Sequence, residues 1–269
     1  MKNYKQLRDL HNRIVVVTGA SSGLGEQIAY ELARKGAIVV VCARRLDRLE
    51  EVAKECQKLS GRISVAKQLD VEDPEQIENL VGEVEDELGP IDVLVNDAGF
   101  GLMEDVLNFE MKTAEKMFRV NVLGLMYLSK FTALKMAQRN RGAIINVASA
   151  AGKIATPKSA VYSATKFAVL GYSNALRLEL RPLGISVLTV NPGPIDTNFF
   201  EIADQTGNYL SKIGFLIQKP EEIAQKVVNT IGTSKRELTI PFVFEIAHRF
   251  YDLFPRVGDY LAGDLFNKK

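Results

Sequence analysis

The sequence predicts a single-domain α/β protein built on a doubly wound parallel sheet of about seven strands, with helices on both faces. Two observations predict this fold. Short runs of β-branched residues alternate with longer segments of helical periodicity through most of the 269 residues. The runs are almost continuously apolar, which is typical of parallel strands that helices cover on both faces. No tandem repeat, low-complexity tract or linker-like change in composition divides the chain.

The predicted elements follow one another in a regular order. The expected strands cover residues 14–17, 37–41, 63–65, 91–95, 143–147 and 185–188. The expected helices cover residues 25–35, 45–59, 74–88, 112–139 and 159–183. Several of these helices stop at a glycine, where a left-handed helix cap is easily accommodated. After residue 191 the pattern loosens, and we expect a helix from Glu221 and a short strand near 238–240.

Composition and charge argue against several classes of protein. The chain is 46% hydrophobic and 25% charged, and its net charge of +1 gives no reason to expect a nucleic-acid partner. No uncharged run approaches the ~18 residues that span a bilayer, and residues 1–13 lack the apolar stretch of a secretory signal. Cys42 and Cys56 form no CxxC pair, which favours reduced thiols and a cytoplasmic protein. His11 and His248 have no metal-ligand spacing around them, so we expect no metal.

A glycine-rich turn follows the first predicted strand. Gly19, Gly23 and Gly25 form a TGxxxGxG pattern that opens the next helix. Pyrophosphate binding needs backbone amides at a helix N-terminus and no side chains that prevent close approach, and glycines supply both. The alternative is an ordinary tight connection between a strand and a helix. The place of this turn at the first strand–helix junction favours a dinucleotide site on a Rossmann-like sheet.

This turn resembles the nucleotide turn of the compact, non-extended branch of the short-chain dehydrogenase/reductase (SDR) family. The resemblance continues, in the family's order, over residues 13 to about 200. The further motifs are Asp70-Val71, Asn96-Asp97-Ala98-Gly99, Asn121, Ser149, Tyr162-Ser163-Ala164-Thr165-Lys166 and Asn191-Pro192-Gly193. One residue departs from the family, because Asp97 stands where the family usually has asparagine. The resemblance implies an oxidoreductase with a nicotinamide cofactor and leaves the role of position 97 open.

The resemblance also implies how the cofactor is bound. Asn96 would stabilise the central sheet, Ala98 and Gly99 would lie near the adenine ribose, and Ile195 and Thr197 would contact the carboxamide or the phosphates. The predicted cofactor-binding residues are Gly19, Ser21, Ser22, Gly23, Leu24, Gly25, Arg44, Arg45, Asp70, Val71, Asn96, Ala98, Gly99, Tyr162, Lys166, Pro192, Gly193, Ile195 and Thr197.

The end of the second predicted strand favours NADP(H) over NAD(H). An NAD site commonly has a carboxylate there for the ribose 2′-hydroxyl, whereas a 2′-phosphate calls for arginine. Arg44 and Arg45 follow this strand, and no acid comes before Asp47. The alternative is a pair of solvated arginines, but positive charge at a helix N-terminus opposes the macrodipole, and a bound anion would explain it. We expect Arg44 to be the main contact and Arg45 a weaker one.

Four residues are expected to carry the chemistry, and Asn121 is the one with the weakest support. Tyr162 and Lys166 are four residues apart in a predicted helix and therefore project from one face, where a nearby ammonium favours the phenolate. Ser149 follows a predicted strand, at the edge of the sheet where ligands collect. The resemblance implies that Ser149 binds the substrate carbonyl, Tyr162 delivers a proton to it, and Lys166 tunes Tyr162 and binds the ribose. Asn121 would hold a water that links Lys166 to solvent.

The remaining segments flank this predicted site. Residues 1–12 form an N-terminal extension, and residues 13–241 form the oxidoreductase domain with a substrate lid at 194–217. Phenylalanines at 199, 200 and 215 give this lid an apolar character. Residues 242–269 form an aromatic-rich helical tail, which we expect to pack against the domain or another subunit. Its acidic residues make membrane contact the less favoured alternative.

We therefore expect an NADPH-dependent carbonyl reductase that acts on a ketone or aldehyde and is reversible as an alcohol dehydrogenase. The alternatives are a nucleotide-sugar epimerase or dehydratase and a non-catalytic nucleotide-sensing or scaffold protein on the same fold. The glycine pattern argues against the first, and the presence of Ser149, Tyr162 and Lys166 argues against the second. The resemblance also implies a homodimer or homotetramer formed through the helices at 112–139 and 159–183.

Overall fold

The computed structural model describes residues 3–199, 203 and 217–266, with the backbone alone at residues 3 and 264–266. The strands are β1 (Ile14–Thr18), β2 (Ile38–Ala43), β3 (Ser64–Gln68), β4 (Ile91–Asn96), β5 (Gly142–Val147), β6 (Ile185–Pro192) and β7 (Glu237–Ile240). The α-helices are α1 (Gly23–Arg34), α2 (Leu46–Ser60), α3 (Pro74–Glu87), α4 (Met111–Phe118), α5 (Leu125–Gln138), α6 (Ala160–Leu180), α7 (Pro220–Val228), α8 (Val243–Leu253) and α9 (Pro255–Phe266).

The strands form one parallel sheet in the order β3-β2-β1-β4-β5-β6-β7. The chain moves outward from β1 to β3, returns to place β4 beside β1, and then moves outward on the other side. The predicted doubly wound sheet of seven strands is thereby confirmed. The order reverses between β1 and β4, and the crevice outside such a switch point is where ligands bind in sheets of this type.

Alternate residues of each strand divide the core into two layers, one on each face of the sheet. Val15 and Val17 of β1 belong to the layer that contains buried residues of α1, α2 and α7. Ile14 and Val16 belong to the opposite layer, which contains buried residues of α3, α5 and α6. Because helices cover both faces, all five residues of β1 are buried. This double burial explains the continuous apolar run in the sequence.

The prediction of a single helix over residues 112–139 is wrong in one respect. The chain forms α4, then a π-helical segment at Arg119–Gly124, and then α5. Such insertions into α-helices are rare and are frequently found at functional sites. A Cβ atom on Gly124 would lie 2.5 Å from the Val71 carbonyl oxygen, so the absence of a side chain permits close approach to the loop after β3. The interruption also brings Asn121 into the interior.

The tail after β7 is helical in the described residues and forms α8 and α9. No residue of α8 is fully buried, although several aromatic residues of this helix line the cavity described below. Most of the lid expected at 194–217, including Phe200 and Phe215, lies outside the described residues, whereas Phe199 lies within them. Among the helices of the described ranges, none is long and apolar enough to cross a membrane.

Candidate active site

A cavity of about 1090 Å³ opens at the carboxyl ends of the strands. Most of the residues predicted from the sequence to form the site line this cavity together. These residues are Gly19, Ser21, Ser22, Gly23, Leu24, Arg44, Arg45, Asp70, Val71, Ala98, Gly99, Ser149, Tyr162, Lys166, Pro192, Gly193, Ile195 and Thr197. The other three predicted residues, Gly25, Asn96 and Asn121, are not part of the lining. Gly25 lies against Gly19 and Asp97, and Asn121 hydrogen-bonds to Phe100, all three of which line it.

The glycine turn has no room for side chains at two positions. Gly19 has a φ of +69°, and a Cβ atom there would lie 2.9 Å from the backbone of Ala98. A Cβ atom on Gly25 would lie 2.7 Å from the Gly19 carbonyl oxygen and 2.8 Å from a carboxylate oxygen of Asp97. These two glycines therefore let the turn lie directly against the loop after β4. Gly19, Gly23 and Leu24 border the cavity at the N-terminal end of α1, where backbone amides can bind a pyrophosphate group.

The two arginines after β2 lie differently in the structure. Arg45 precedes α2, and its guanidinium Nη2 donates hydrogen bonds to Ser21 Oγ at 3.0 Å and to Ser22 Oγ at 3.2 Å. Arg44 is exposed, and its carbonyl oxygen accepts a hydrogen bond from Gln68 at the end of β3. Both arginines line the cavity. The edge of the cavity next to the glycine turn is therefore positively charged and offers guanidinium donors to an anion.

Asp97 carries a buried carboxyl group between the glycine turn and Lys166. Burial raises its pKa to about 7, although the Lys166 charge and a hydrogen bond from the Gly25 amide both act to lower it. The backbone amides of Asp97 and Ala98 both donate to Thr18 Oγ1 at 3.2 Å, which ties this loop to the end of β1. The sequence revealed only that residue 97 departs from the family pattern. It could not reveal that this carboxyl group lies within electrostatic range of Lys166.

Asn96 lies beneath this loop and joins the central strands to the helices. Its Nδ2 donates to Asn146 Oδ1 of β5 at 2.9 Å and to Ser129 Oγ of α5 at 3.1 Å. Asn146 in turn donates to Ser173 Oγ of α6 at 2.9 Å. Buried side chains that hydrogen-bond to one another in this way hold their elements together, although Asn96 Oδ1 has no hydrogen-bond partner among the described residues. This network fixes the ends of β4 and β5, which border the cavity.

Tyr162 and Lys166 project into the cavity from one face of α6. Lys166 Nζ lies 5.8 Å from the centre of the Tyr162 ring and donates to the Val147 carbonyl oxygen at 3.0 Å. Burial lowers the pKa of Lys166 to about 8, and the Asp97 carboxylate opposes this shift. A cation so close to the tyrosine favours the phenolate over the phenol. The arrangement can therefore assist proton transfer by Tyr162.

Ser149 lies at the start of the short 3₁₀ turn Ala150–Gly152, directly after β5. Its Oγ accepts a hydrogen bond from the Ala151 amide at 3.1 Å, which orients the side chain. The accepted bond leaves the hydroxyl hydrogen of Ser149 for donation to a ligand. Ser149, Tyr162 and Lys166, which the sequence separates by up to 17 positions, thus line one cavity.

Asn121 lies in the π-helical segment and is almost fully buried. Its Nδ2 donates to the Phe100 carbonyl oxygen at 2.8 Å and to Thr165 Oγ1 at 3.1 Å, while its Oδ1 accepts from the Phe100 amide at 3.0 Å. Both amide hydrogens of the side chain are therefore used within the protein. Asn121 ties the loop after β4 to α6, immediately beside Lys166.

Apart from Phe199, which the sequence predicted to lie in an apolar lid, the sequence did not predict the apolar part of the cavity. Its walls include residues from the loop after β4, the loop after β5, the segment after β6, α8 and α9. These residues are Phe100, Met103, Ile154, Phe199, Phe244, Ala247, Phe250, Tyr251, Leu261 and Ala262. The phenylalanine content of the tail was the available signal. It predicted that the tail packs against protein, but it could not identify the surface.

The comparisons with known proteins agree with this geometry. The sequence matches the family model for short chain dehydrogenases over residues 13–207. The 3-ketodihydrosphingosine reductase of Bos taurus is 34% identical over 221 residues, which cover 80% of this chain and 67% of that protein. The dehydrogenase/reductase SDR family protein 7-like of Anopheles gambiae is 30% identical over 266 residues, which cover 96% of this chain and 84% of that protein.

A solved structure extends the similarity to three dimensions. The short-chain dehydrogenase from Sphingobium yanoikuyae, in complex with NADPH, superposes with a TM-score of 0.80 at 27% identity. The superposition covers 91% of this chain and 93% of that one. The family match includes β1 to β6, the glycine turn and the residues Ser149, Tyr162 and Lys166. This chain is therefore an oxidoreductase of the short-chain dehydrogenase/reductase family.

Proposed function

We propose that this protein uses NADP(H) to reduce a ketone or aldehyde to an alcohol, in a reaction that is reversible in principle. One observation carries the proposal. Lys166 Nζ is buried 5.8 Å from the centre of the Tyr162 ring, in the cavity that Ser149 also lines. A hydroxyl donor, a tyrosine and a lysine with a lowered pKa in one cavity are the groups that protonation of a carbonyl oxygen requires.

The cavity fits a dinucleotide with a 2′-phosphate. The glycine turn at the N-terminal end of α1 would hold the pyrophosphate, and Asp70 and Val71, which line the same cavity, would contact the nucleotide. Arg44 would be the main contact of the 2′-phosphate, and Arg45 would assist it while it orients Ser21. A guanidinium can take a phosphate in a bidentate fork. The NADPH complex of the similar Sphingobium yanoikuyae protein supports this choice of cofactor.

The side chains of this protein orient the substrate and transfer the proton. When bound, the nicotinamide cofactor supplies the hydride. Ser149 donates a hydrogen bond to the substrate carbonyl oxygen and fixes its direction. Tyr162 transfers its hydroxyl proton to the same oxygen as negative charge develops on it. Lys166 stabilises the resulting phenolate, and Asn121 holds the adjacent loop and the water that returns a proton.

A panel of carbonyl compounds tests the proposal. The purified protein, incubated with NADPH and a series of ketones and aldehydes, should consume NADPH, which is measured by absorbance. Parallel reactions with NADH should be slower at equal concentration. The same protein with NADP⁺ and the product alcohols should run in reverse. A failure to transfer hydride in either direction with any member of the panel would contradict the proposed activity.

Self-association is the proposed assembly. The outer faces of α4 to α6 and the π-helical segment expose large apolar side chains, which a second subunit could cover. These residues are Phe118, Leu123, Tyr127, Leu134, Phe167 and Leu178. Light scattering after size-exclusion chromatography should give the mass of a dimer or tetramer. Leu178→Glu should reduce this mass to that of one chain, whereas Leu253→Glu on the exposed side of α8 should leave it unchanged.

A further inference from the structure

Helices α8 and α9 form a hairpin that closes one side of the cavity, and specific contacts anchor it there. Phe244 packs so closely on Gly193 that a Cβ atom on this glycine would lie 2.4 Å from a ring carbon. Glu245 lies 2.7 Å from Nζ of the buried Lys153. The Tyr251 ring of α8 contacts Gly258 of α9 in the same close manner. The α8–α9 hairpin is therefore a built part of the cavity wall.

The face of the α8–α9 hairpin that lines the cavity carries no charge among the described side chains. Its lining residues are Phe244, Ala247, Phe250, Tyr251, Gly258, Leu261 and Ala262. The acidic and basic residues of the same helices, such as Glu245, Arg249 and Asp252, are absent from the lining. The Tyr251 hydroxyl donates to Asp259, so even this polar group already has a partner. Within the part of the chain that the structure describes, this wall offers a ligand apolar contact and no ionic partner.

The opposite wall of the cavity, next to Tyr162, is also apolar. The rings of Tyr162 and Phe199 lie 5.6 Å apart, and the backbone of Gly101 presses against both. Phe100, Met103 and Ile154 complete this wall. The charged residues that line the cavity are Arg44, Arg45, Asp70, Asp97, Lys116 and Lys166. Four of them follow β2, β3 and β4 in the half assigned to the nucleotide, and none lies on the α8–α9 hairpin.

We propose that the substrate carries its carbonyl group on an extended, uncharged hydrocarbon portion, which lies against the α8–α9 hairpin. This inference rests on the proposed function and adds the substrate class. A small ketone would leave most of the apolar wall uncovered and would gain nothing from it. A hydrocarbon chain that reaches from Tyr162 to Leu261 would bury this surface, and each buried methylene group adds to binding. A terminal carboxylate would lose its hydration without finding a cation on the hairpin.

A homologous series of ketones tests whether a longer hydrocarbon chain improves turnover. With NADPH, kcat/KM for 2-alkanones from 2-butanone to 2-dodecanone should rise roughly fourfold for each added methylene group until the apolar wall is covered. The oxo acid 9-oxodecanoate matches 2-decanone in length and carries a carboxylate at its far end. Its kcat/KM should be at least about a hundredfold lower than that of 2-decanone. A flat series, or equal turnover of these two compounds, would overturn the inference.

Two neighbouring variants on α8 locate the effect. Ala247→Asp places a carboxylate on the lining face and should abolish the rise of kcat/KM with chain length. Ile246→Asp places the same group on the exposed side of the helix and should keep the rise. Melting temperatures of both variants establish that they are folded. A rise that survives Ala247→Asp unchanged would show that the chain lies elsewhere.

Binding without turnover separates the inference from the proposed reaction. Calorimetric titration of the NADPH-loaded protein with 1-alkanols from hexanol to dodecanol should show affinity rising by a similar factor for each methylene group. Steep alkanol binding with no reduction of any ketone would leave the apolar site standing and remove the proposed reaction. If short ketones were reduced but alkanol affinity did not change with chain length, the proposed reaction would stand and the proposed substrate class would be wrong.

Discussion

Lys153 and Glu245 form an ion pair that joins the turn after Ser149 to the hairpin over the cavity. Lys153 Nζ lies 2.7 Å from Glu245 Oε2 and 2.6 Å from Glu237 of β7. Thr239 Oγ1 donates to the same Glu245 oxygen at 3.0 Å. Lys153 is 6% exposed, so this cluster is largely shielded from water. One buried lysine therefore connects the catalytic loop, the last strand and α8.

Replacing Glu245 with Gln should destabilise the protein at neutral pH. The hydrogen bond from Lys153, followed by those from Thr239 and Arg249, lowers the pKa of Glu245 to about 2. The substitution removes a charge that partly compensates the buried Lys153, although Glu237 remains beside it. We expect a loss of about 1–3 kcal/mol in the free energy of unfolding at pH 7, measured in urea.

The effect of Glu245→Gln should depend on pH in one direction. Because the pKa is lower in the folded protein than the ordinary value, the carboxylate stabilises the fold fully above that value, near ~4.5, and the contribution is lost as the pH falls toward 2. The difference between the two proteins should therefore shrink below pH 5. The control is Glu50→Gln on the exposed side of α2, which should change stability little. A constant difference from pH 7 to pH 3.5 would contradict the assigned role of the charge.

Substitution of Arg44 should reverse the preference for the phosphorylated cofactor. Charge-assisted hydrogen bonds contribute about 1.5–3 kcal/mol, so the unaltered protein should bind NADPH roughly tenfold to a hundredfold more tightly than NADH. Arg44→Asp adds repulsion toward the 2′-phosphate and supplies an acceptor for the ribose hydroxyl, and it should favour NADH. Titration with both nucleotides at two salt concentrations measures the change, because salt screens the exposed pair.

Arg45→Gln is the matched comparison for Arg44. Arg45 orients Ser21 and Ser22 through hydrogen bonds of 3.0 and 3.2 Å. Its loss should therefore weaken the binding of both NADPH and NADH. The preference for NADPH should remain in this variant. If Arg45→Gln rather than Arg44→Asp removed the preference, the main phosphate contact would be Arg45. Equal or tighter binding of NADH by the unaltered protein would show that the end of β2 was misread.

Tyr162→Phe should abolish most turnover and leave cofactor binding nearly intact. General acid catalysis contributes about 10²–10⁴ in rate, so kcat should fall at least a hundredfold. The phenylalanine ring keeps the contact with Phe199, whose ring centre lies 5.6 Å away. The control is Tyr127→Phe on α5, which removes a hydroxyl outside the cavity and should change neither quantity. Rapid reduction of a good substrate by Tyr162→Phe would eliminate the proposed mechanism.

Asp97→Asn should shift the basic limb of the activity profile to lower pH. Burial lowers the pKa of Lys166 to about 8, and the Asp97 carboxylate raises it. Without this carboxylate the ammonium loses a stabilising neighbour, and Lys166 should deprotonate at lower pH. Profiles of kcat/KM between pH 6 and pH 10 measure the limb. An unchanged limb would mean that Asp97 does not influence Lys166 during the reaction.

Stability measurements give an independent test of the raised pKa of the Asp97 carboxyl group. Burial raises the pKa of Asp97 from its ordinary value of 3.8 to about 7 in the folded protein. The unaltered protein therefore loses stability as the pH rises from about 3.8 to 7, because the buried carboxyl group resists ionisation. Asp97→Asn removes this loss. The variant should be more stable relative to the unaltered protein at pH 8 than at pH 5.

Local sequence patterns were sufficient to predict the strand–helix alternation and the helical face of Tyr162 and Lys166. Double burial leaves a continuous apolar run in β1, and a spacing of four residues places two side chains on one face of any α-helix. The positive φ that Gly19 adopts in the turn is equally local. These features depend on neighbours along the chain, which the sequence displays directly.

Tertiary structure alone decided the contacts between distant segments. The π-helical segment brings Gly124 to Val71, and a run of helical periodicity does not reveal one wider turn. Lys153 meets Glu245 across 92 positions, and nothing in either local sequence identifies the partner. The phenylalanines of α8 are part of the cavity because this ion pair and the packing on Gly193 hold the helix there. Periodicity reports that a face is apolar, but the surface that covers it depends on the complete packing of the chain.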